Sequence, residues 1–327
     1  MTTAMAFSFP KLAGFVVVVL LMAGARPSTQ DNWTFKQSLG DLLIAATKGQ
    51  YDESIVTLTD KRGERTVKGT VGFPLDRVHH AVRESRLILL AKLDAPYLAV
   101  LDPDAARVVD EFWGTRVAVS PSARFIAYNQ RVPRWADASA LYLVYDVSLS
   151  PTANRMPDPQ GNISDGPRDV GRPVYPNENR TRASYETTFY SIREENKDSL
   201  PPPDVLDAMH ELVSPLTWLS ENQFAFVDRV GPEFFVVVID LSAGVEAAKV
   251  RTAKIDTTEL IDTSKAEDGD PAARAYFVAH PWAYLWVTRL TARETSRSEL
   301  AMRVEWKSQW ANERWLRKSS SDVLVHE

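Results

Sequence analysis

A chain of 327 residues with 43 acidic against 38 basic side chains carries a net charge of −5, and lacks the basic footprint that a phosphate backbone demands of a nucleic-acid partner. It contains no cysteine, which excludes disulfides, a thiol nucleophile and a zinc–thiolate site. At this length the core is large enough to stand without cross-links, even in an oxidising compartment.

Residues 1–25 read as an export signal. Lys11 supplies the positive charge, Leu12 to Met22 the apolar core, and Ala23, Gly24 and Ala25 the small residues for cleavage. The apolar run falls short of the roughly 20 residues of a membrane span, so membrane contact is expected only through this signal if it stays uncleaved. The expected location is periplasmic or secreted, with 26–327 forming one domain. Phe35, Leu39, Leu42, Leu43 and Ala46 then share a face at helical spacing, predicting a short N-terminal helix over 34–48 closed by Gly49. Ser54–Asp60 and Thr66–Val71 flank a charged, glycine-bearing turn and predict a hairpin. Strands are predicted at 87–93, 97–101, 116–119, 125–130 and 141–145, with a polar loop carrying Pro133.

Residues 150–203 break this pattern with Pro151, Pro157, Pro159, Pro167, Pro173, Pro176 and Pro201 to Pro203 among many polar side chains. Such a segment buries little apolar surface and predicts a long irregular insertion, tacked down at 185–192 by three aromatics. Asp204 is placed to cap a short helix with Val205, Leu206, Met209, Leu212 and Val213 facing inward. Strands follow at 216–244 as a pair, at Lys249–Ile255, at 276–278 and as a second pair at 284–290 and 300–307, before a tryptophan-rich polar tail.

Two of these segments repeat one unit. Residues 117–146 and 216–244 each run strand, turn, strand and a closing aspartate, and 87–105 is a weaker copy. The motif Ser120-Pro121-Ser122-Ala123-Arg124-Phe125-Ile126-Ala127-Tyr128, followed by a strand ending in Asp146, resembles the repeats of TolB-like β-propellers. Ser122-Ala123 stands where those repeats usually have Asp-Gly. The second copy opens Trp218-Leu219-Ser220 and keeps the turn Asp240-Leu241-Ser242-Ala243-Gly244. The resemblance implies an all-β, propeller-like fold, with an incomplete or irregular propeller left open. Once the insertion and the helices are discounted, the length leaves room for about five blades of about 40–45 residues. Such repeats serve scaffolds, partner-binding periplasmic proteins and the lids of serine peptidases, so the resemblance implies no single activity.

Candidate chemistry is sparse. No Gly-x-Ser-x-Gly elbow occurs, which argues against a serine hydrolase. His210-Glu211 opens like a metalloprotease helix, but the second histidine position is Ser214. Adjacent His79 and His80 point to opposite faces of a strand. Asp262, Glu267, Asp268 and Asp270 offer oxygen ligands in a loop without EF-hand spacing, and Asp102 and Asp104 fit turn chemistry better than glycan cleavage. No metal and no cofactor are therefore expected. The eight basic and four acidic residues of 289–318 suit a solvated face better than a nucleic-acid groove.

Trp282, Tyr284, Trp286, Trp306 and Trp310 are the candidate binding residues, because clustered tryptophans concentrate interface energy; the competing expectation is that they pack between sheets. The expectation is a non-catalytic binding or scaffold protein of the bacterial envelope, with an envelope protein as partner. The alternative is an envelope glycan-binding protein or glycan hydrolase with carboxylates at a propeller channel.

Overall fold

A computed structural model describes residues 34–49, 53–60, 62–63, 65–91, 97–132, 139–155, 163, 170–175, 210–265, 271–294, 299–308 and 315–326. These form five antiparallel sheets in which consecutive strands pair with one another. The first contains β1 (Thr34–Leu39), β2 (Leu42–Lys48), β3 (Ser54–Asp60) and β4 (Thr66–Val71). The second contains β5 (Leu75–Ala81), β6 (Arg86–Ala91), β7 (Tyr97–Asp102) and β8 (Arg107–Trp113). The third contains β9 (Thr115–Val119), β10 (Phe125–Val132), β11 (Ser139–Asp146) and β12 (Arg172–Tyr175). In the fourth, the short strands β13 (His210–Leu212) and β14 (Thr217–Trp218) both pair with β15 (Gln223–Val230), followed by β16 (Glu233–Asp240) and β17 (Lys249–Ile255). The fifth contains β18 (Leu285–Glu294), β19 (Glu299–Ser308) and β20 (Ser320–His326). The chain is an all-β, propeller-like protein.

Three elements differ from their sequence reading. The expected helix over 34–48 is the hairpin of β1 and β2. Its apolar residues also fit two alternating runs interrupted by Gly40, at φ +57°, and Asp41, a two-residue turn that restarts the alternation. The strand expected at 276–278 lies within the single described α-helix, α1 (Pro271–Ala279), where Pro271 suits a first helical turn and Phe277 reaches the core. Of the helix expected after Asp204, residues 204–209 lie outside the described residues, and 210–212 are strand β13, held by pairing with Asp228 to Val230. The insertion is also less irregular than expected where it is described. Thr152–Asn154 form a 3-10 turn, and Arg172–Tyr175 complete the third sheet as β12. Residues 1–25 and 185–192 lie outside the described residues.

The closing aspartate of each repeat has a clear task. Asp102 Oδ1 accepts the Asp104 N–H at 2.8 Å, Asp146 Oδ1 the Ser148 N–H at 2.9 Å, and Asp240 Oδ1 the Ser242 N–H at 2.8 Å. Each carboxylate thus organises the turn that follows its strand. Desolvation pushes the Asp240 carboxyl up, but the hydrogen bonds from Ser242 and Gln223 outweigh it and hold the group below its usual value.

Four buried clusters fill the four junctions between sheets that are consecutive in the chain. Among the described residues no such cluster joins the fifth sheet to the first. The outer faces of the first and fifth sheets are mostly polar, with Leu43 and Ile55 exposed on the first and Leu324 on the fifth. On the first sheet, Thr34, Lys36, Thr47, Thr57, Lys68 and Thr70 occupy the face away from the core. On the fifth, Arg289 lies opposite Glu305, Arg303 opposite Asp322, and Glu299 opposite His326. Such faces tolerate water, as the end units of repeat arrays must.

Candidate functional site

An open groove of ≈770 Å³ lies at the rim where the first three sheets meet. The turn between β1 and β2 brings Asp41, the end of β3 brings Asp60, and the loops after β5, β7 and at the start of β10 bring Val82, Pro103 and Pro121. Leu39 and Leu42 add apolar wall, and Val82, 71 % exposed, is the most exposed large apolar side chain among the described residues. The volume lies within the range of about 300–1,000 Å³ that ligand sites occupy.

Four consecutive residues of β5, Arg77, Val78, His79 and His80, line this groove. Successive side chains of a strand point to opposite faces, so the groove runs along the free edge of β5. At that edge the Gln37 side chain from β1 meets the Val78 backbone twice. Gln37 Nε2 donates to Val78 O at 2.8 Å, and Val78 N donates to Gln37 Oε1 at 3.0 Å. Burial, then the neighbouring Arg77 guanidinium, holds His79 below the usual imidazole value, so its neutral form is favoured.

A second polar cluster lies at the junction of the third and fourth sheets. Asp228 is fully buried; its Oδ1 accepts the Tyr142 hydroxyl at 2.7 Å, and its Oδ2 lies 2.5 Å from His210 Nδ1. Tyr175 meets the His210 ring edge-on at 5.4 Å. Burial first, then the Asp228 charge, pushes the Tyr142 phenol well above its usual value, so it remains a donor. This cluster joins an acid, an imidazole and a phenol; Tyr142–Asp228 and Tyr175–His210 hold the third sheet to the fourth, while His210–Asp228 ties β13 to β15 within the fourth.

The tryptophans expected to bind a partner do not form one exposed platform. Trp306 is 4 % exposed, with its indole N–H donating to Ser321 Oγ at 2.6 Å and its ring edge-on to Phe234 at 5.3 Å. The reason is register: Trp306 lies opposite Val287 on the face of the fifth sheet that packs on the fourth. Trp282 and Tyr284 lie on a 3-10 turn, not on a strand with Trp286, so their spacing by two does not give them a common strand face. All three are half-buried against the same core. Arg229 stacks over Trp282 at 5.0 Å and Arg116 over Trp286 at 4.5 Å, while Tyr284 meets Phe277 at 5.3 Å. Trp310, and Glu267, Asp268 and Asp270 of the acidic loop, lie outside the described residues. Asp262 caps its own turn through Ser264 and pairs with Arg317 at 3.3 Å. Among the described residues no three carboxylate or imidazole groups come close enough to hold a metal ion.

No family model matches the chain. No curated protein matches it either. Solved structures do show a likeness. Hsv2 of Kluyveromyces lactis is 10 % identical, over 66 % of this chain and 59 % of its own, with a TM-score of 0.30. The β-propeller domain of the Trilobed protease from Pyrococcus furiosus is 6 % identical, over 89 % and 68 %, with a TM-score of 0.31. A prolyl endopeptidase structure is 8 % identical, over 90 % of this chain but 37 % of its own, with a TM-score of 0.34. This chain spans about three fifths of the Hsv2 structure it matches.

Sequence reading missed the groove because its walls are contributed by separate turns and strand ends spread from Gln37 to Ala123. A local signal was present. Gly40-Asp41 between two alternating runs marks a hairpin tip, and the apolar Val82 stands in the otherwise polar turn Arg83-Glu84-Ser85.

Proposed function

We propose that this chain is an exported, non-catalytic binding or scaffold protein of the bacterial cell envelope, and that it takes part of a partner protein in the groove at the rim of its first three sheets. The observation that carries this reading is the groove itself, where exposed Val82 and the walls of Leu39, Leu42 and Pro121 lie beside the charged groups Asp41, Asp60 and Arg77. Apolar contact with a few placed polar groups is what recognition surfaces combine. Export rests on the reading of residues 1–25; among the described residues no helix is long and apolar enough to cross a membrane.

The test is cross-linked capture from envelope extract with residues 26–327, comparing the natural chain with Val82→Glu and Arg77→Glu. Both positions are exposed, so the variants should fold. A partner captured by the natural chain and lost with both variants supports the reading. Equal capture by all three removes the groove from it.

One observation favours the glycan reading: Asp41 and Asp60 line the same groove. Paired carboxylates are the machinery of glycoside cleavage. Asp60 Oδ1, however, already accepts the Arg62 N–H at 2.6 Å, as a turn residue does. Hydrolysis of envelope glycans by the natural chain, lost on Asp41→Asn, would put the glycan reading first.

A further inference from the structure

The free edge of β5 inside the groove points to a specific mode of recognition. The strand pairs with β6 on one side only, and its other edge faces the groove. Consecutive residues from both faces of its pleat, Arg77 to His80, line the groove although the Val78 side chain is buried in the core, which places the backbone edge at the groove wall. The two-way contact of Gln37 with Val78 shows what that edge accepts. The carboxamide of Gln37 offers one N–H and one C=O to the C=O and N–H of one residue, as a neighbouring strand would. The pleat turns the C=O and N–H of His80, two residues further on, toward the same side. The same device occurs at Asn154, whose carboxamide accepts from Asp146 N and donates to Asp146 O, both at 2.9 Å, beside β11.

We propose that the groove binds an extended peptide segment of a partner protein as an added strand on the edge of β5, next to the position that Gln37 holds. The proposal rests on the binding reading above and gives that reading a ligand class. An added strand derives affinity from main-chain hydrogen bonds and specificity from pockets that take alternate side chains. Here one set of side chains meets Leu39, Leu42, Asp41 and Asp60 of the first sheet, and the other set meets Pro121 and Ala123 of the third. The carboxylates of the first wall select apolar and basic side chains at every second position.

The experiment pans a random-peptide display library against the full chain and against Val82→Glu, then synthesises the strongest groove-dependent peptide with its alternate amides N-methylated in either of two registers. Only one register removes the N–H groups that face β5. Methylation in that register is expected to weaken binding about ten-fold or more, the loss of one or two backbone hydrogen bonds, with little effect in the other. Equal tolerance of both registers overturns the added strand and leaves binding in the groove standing. If no enriched peptide depends on the groove, peptide recognition falls, while the capture experiment decides separately whether a folded partner uses the same surface.

Discussion

The Tyr142 hydroxyl of β11 donates to the Asp228 carboxylate of β15 at 2.7 Å, tying the third sheet to the fourth where both side chains are shielded from water. Tyr142→Phe keeps the ring stacked on Phe226 at 4.1 Å and deletes only the donor. Leaving a buried carboxylate short of a partner is expected to cost about 1–3 kcal/mol. Urea unfolding should show a lower midpoint with an unchanged slope; an unchanged midpoint would mean that the contact contributes nothing.

Arg155 Nη2 lies 2.7 Å from Asp110 Oδ1, with the two side chains 11 % and 1 % exposed. Burial nevertheless outweighs the Arg155 charge and lifts the Asp110 carboxyl above its usual value of 3.8. A carboxyl raised on folding contributes stability that is fully present below 3.8 and lost as pH rises through the folded value. Arg155→Ala removes the compensating charge and should cost about 3–5 kcal/mol near neutrality, with a smaller loss in acid where Asp110 is neutral. Denaturation at several pH values checks this, and an equal loss at every pH would refute it.

His79 shifts in the opposite sense. Its folded value lies below 6.5, so its contribution is present above pH 6.5 and lost as pH falls through the folded value, where the half-buried ring must take up a proton. In His79→Gln the acid limb of the stability curve should flatten. A limb of unchanged steepness would assign that sensitivity to other groups.

The tryptophans separate by their surroundings. Trp306→Ala opens a cavity between the fourth and fifth sheets and should cost about 3–5 kcal/mol. Trp286→Ala forfeits its stack with Arg116 and part of its burial, a stacking loss of about 0.5–1 kcal/mol. Thermal unfolding of the two variants should rank them in that order, and a larger loss at Trp286 would reverse the assignment of core and margin.

The repeats were legible because each obeys local rules. Short continuous apolar runs marked the strands of Phe125, Ile126 and Ala127 and of Val236, Val237 and Val238, which are buried on both faces, and a closing aspartate marked each following turn. The hairpin at Gly40 was misread because Phe35, Leu39, Leu42 and Ala46 satisfy a period of 3.6 almost as well as two alternating runs. The helix α1 was misread because Tyr276, Phe277 and Val278 are strand formers on their own, while α1 is held by Phe277 against Trp315 at 4.8 Å, a partner 38 residues away. The groove and the Tyr142–Asp228–His210 cluster stayed hidden for the same reason: both join residues from separate sheets, and no local pattern records which sheets become neighbours.

The packing of the sheets has a consequence for how the molecule comes apart. Among the described residues, the first and last sheets each lean on one neighbour through a buried cluster, and the middle three on two. Protection of backbone amides should therefore rise from both ends toward β10 and β11. The groove spans that gradient. Its β1 wall belongs to an end sheet and its β5 and Pro121 walls to inner ones, so Leu39 and Asp41 can fray away while the edge of β5 stays in register.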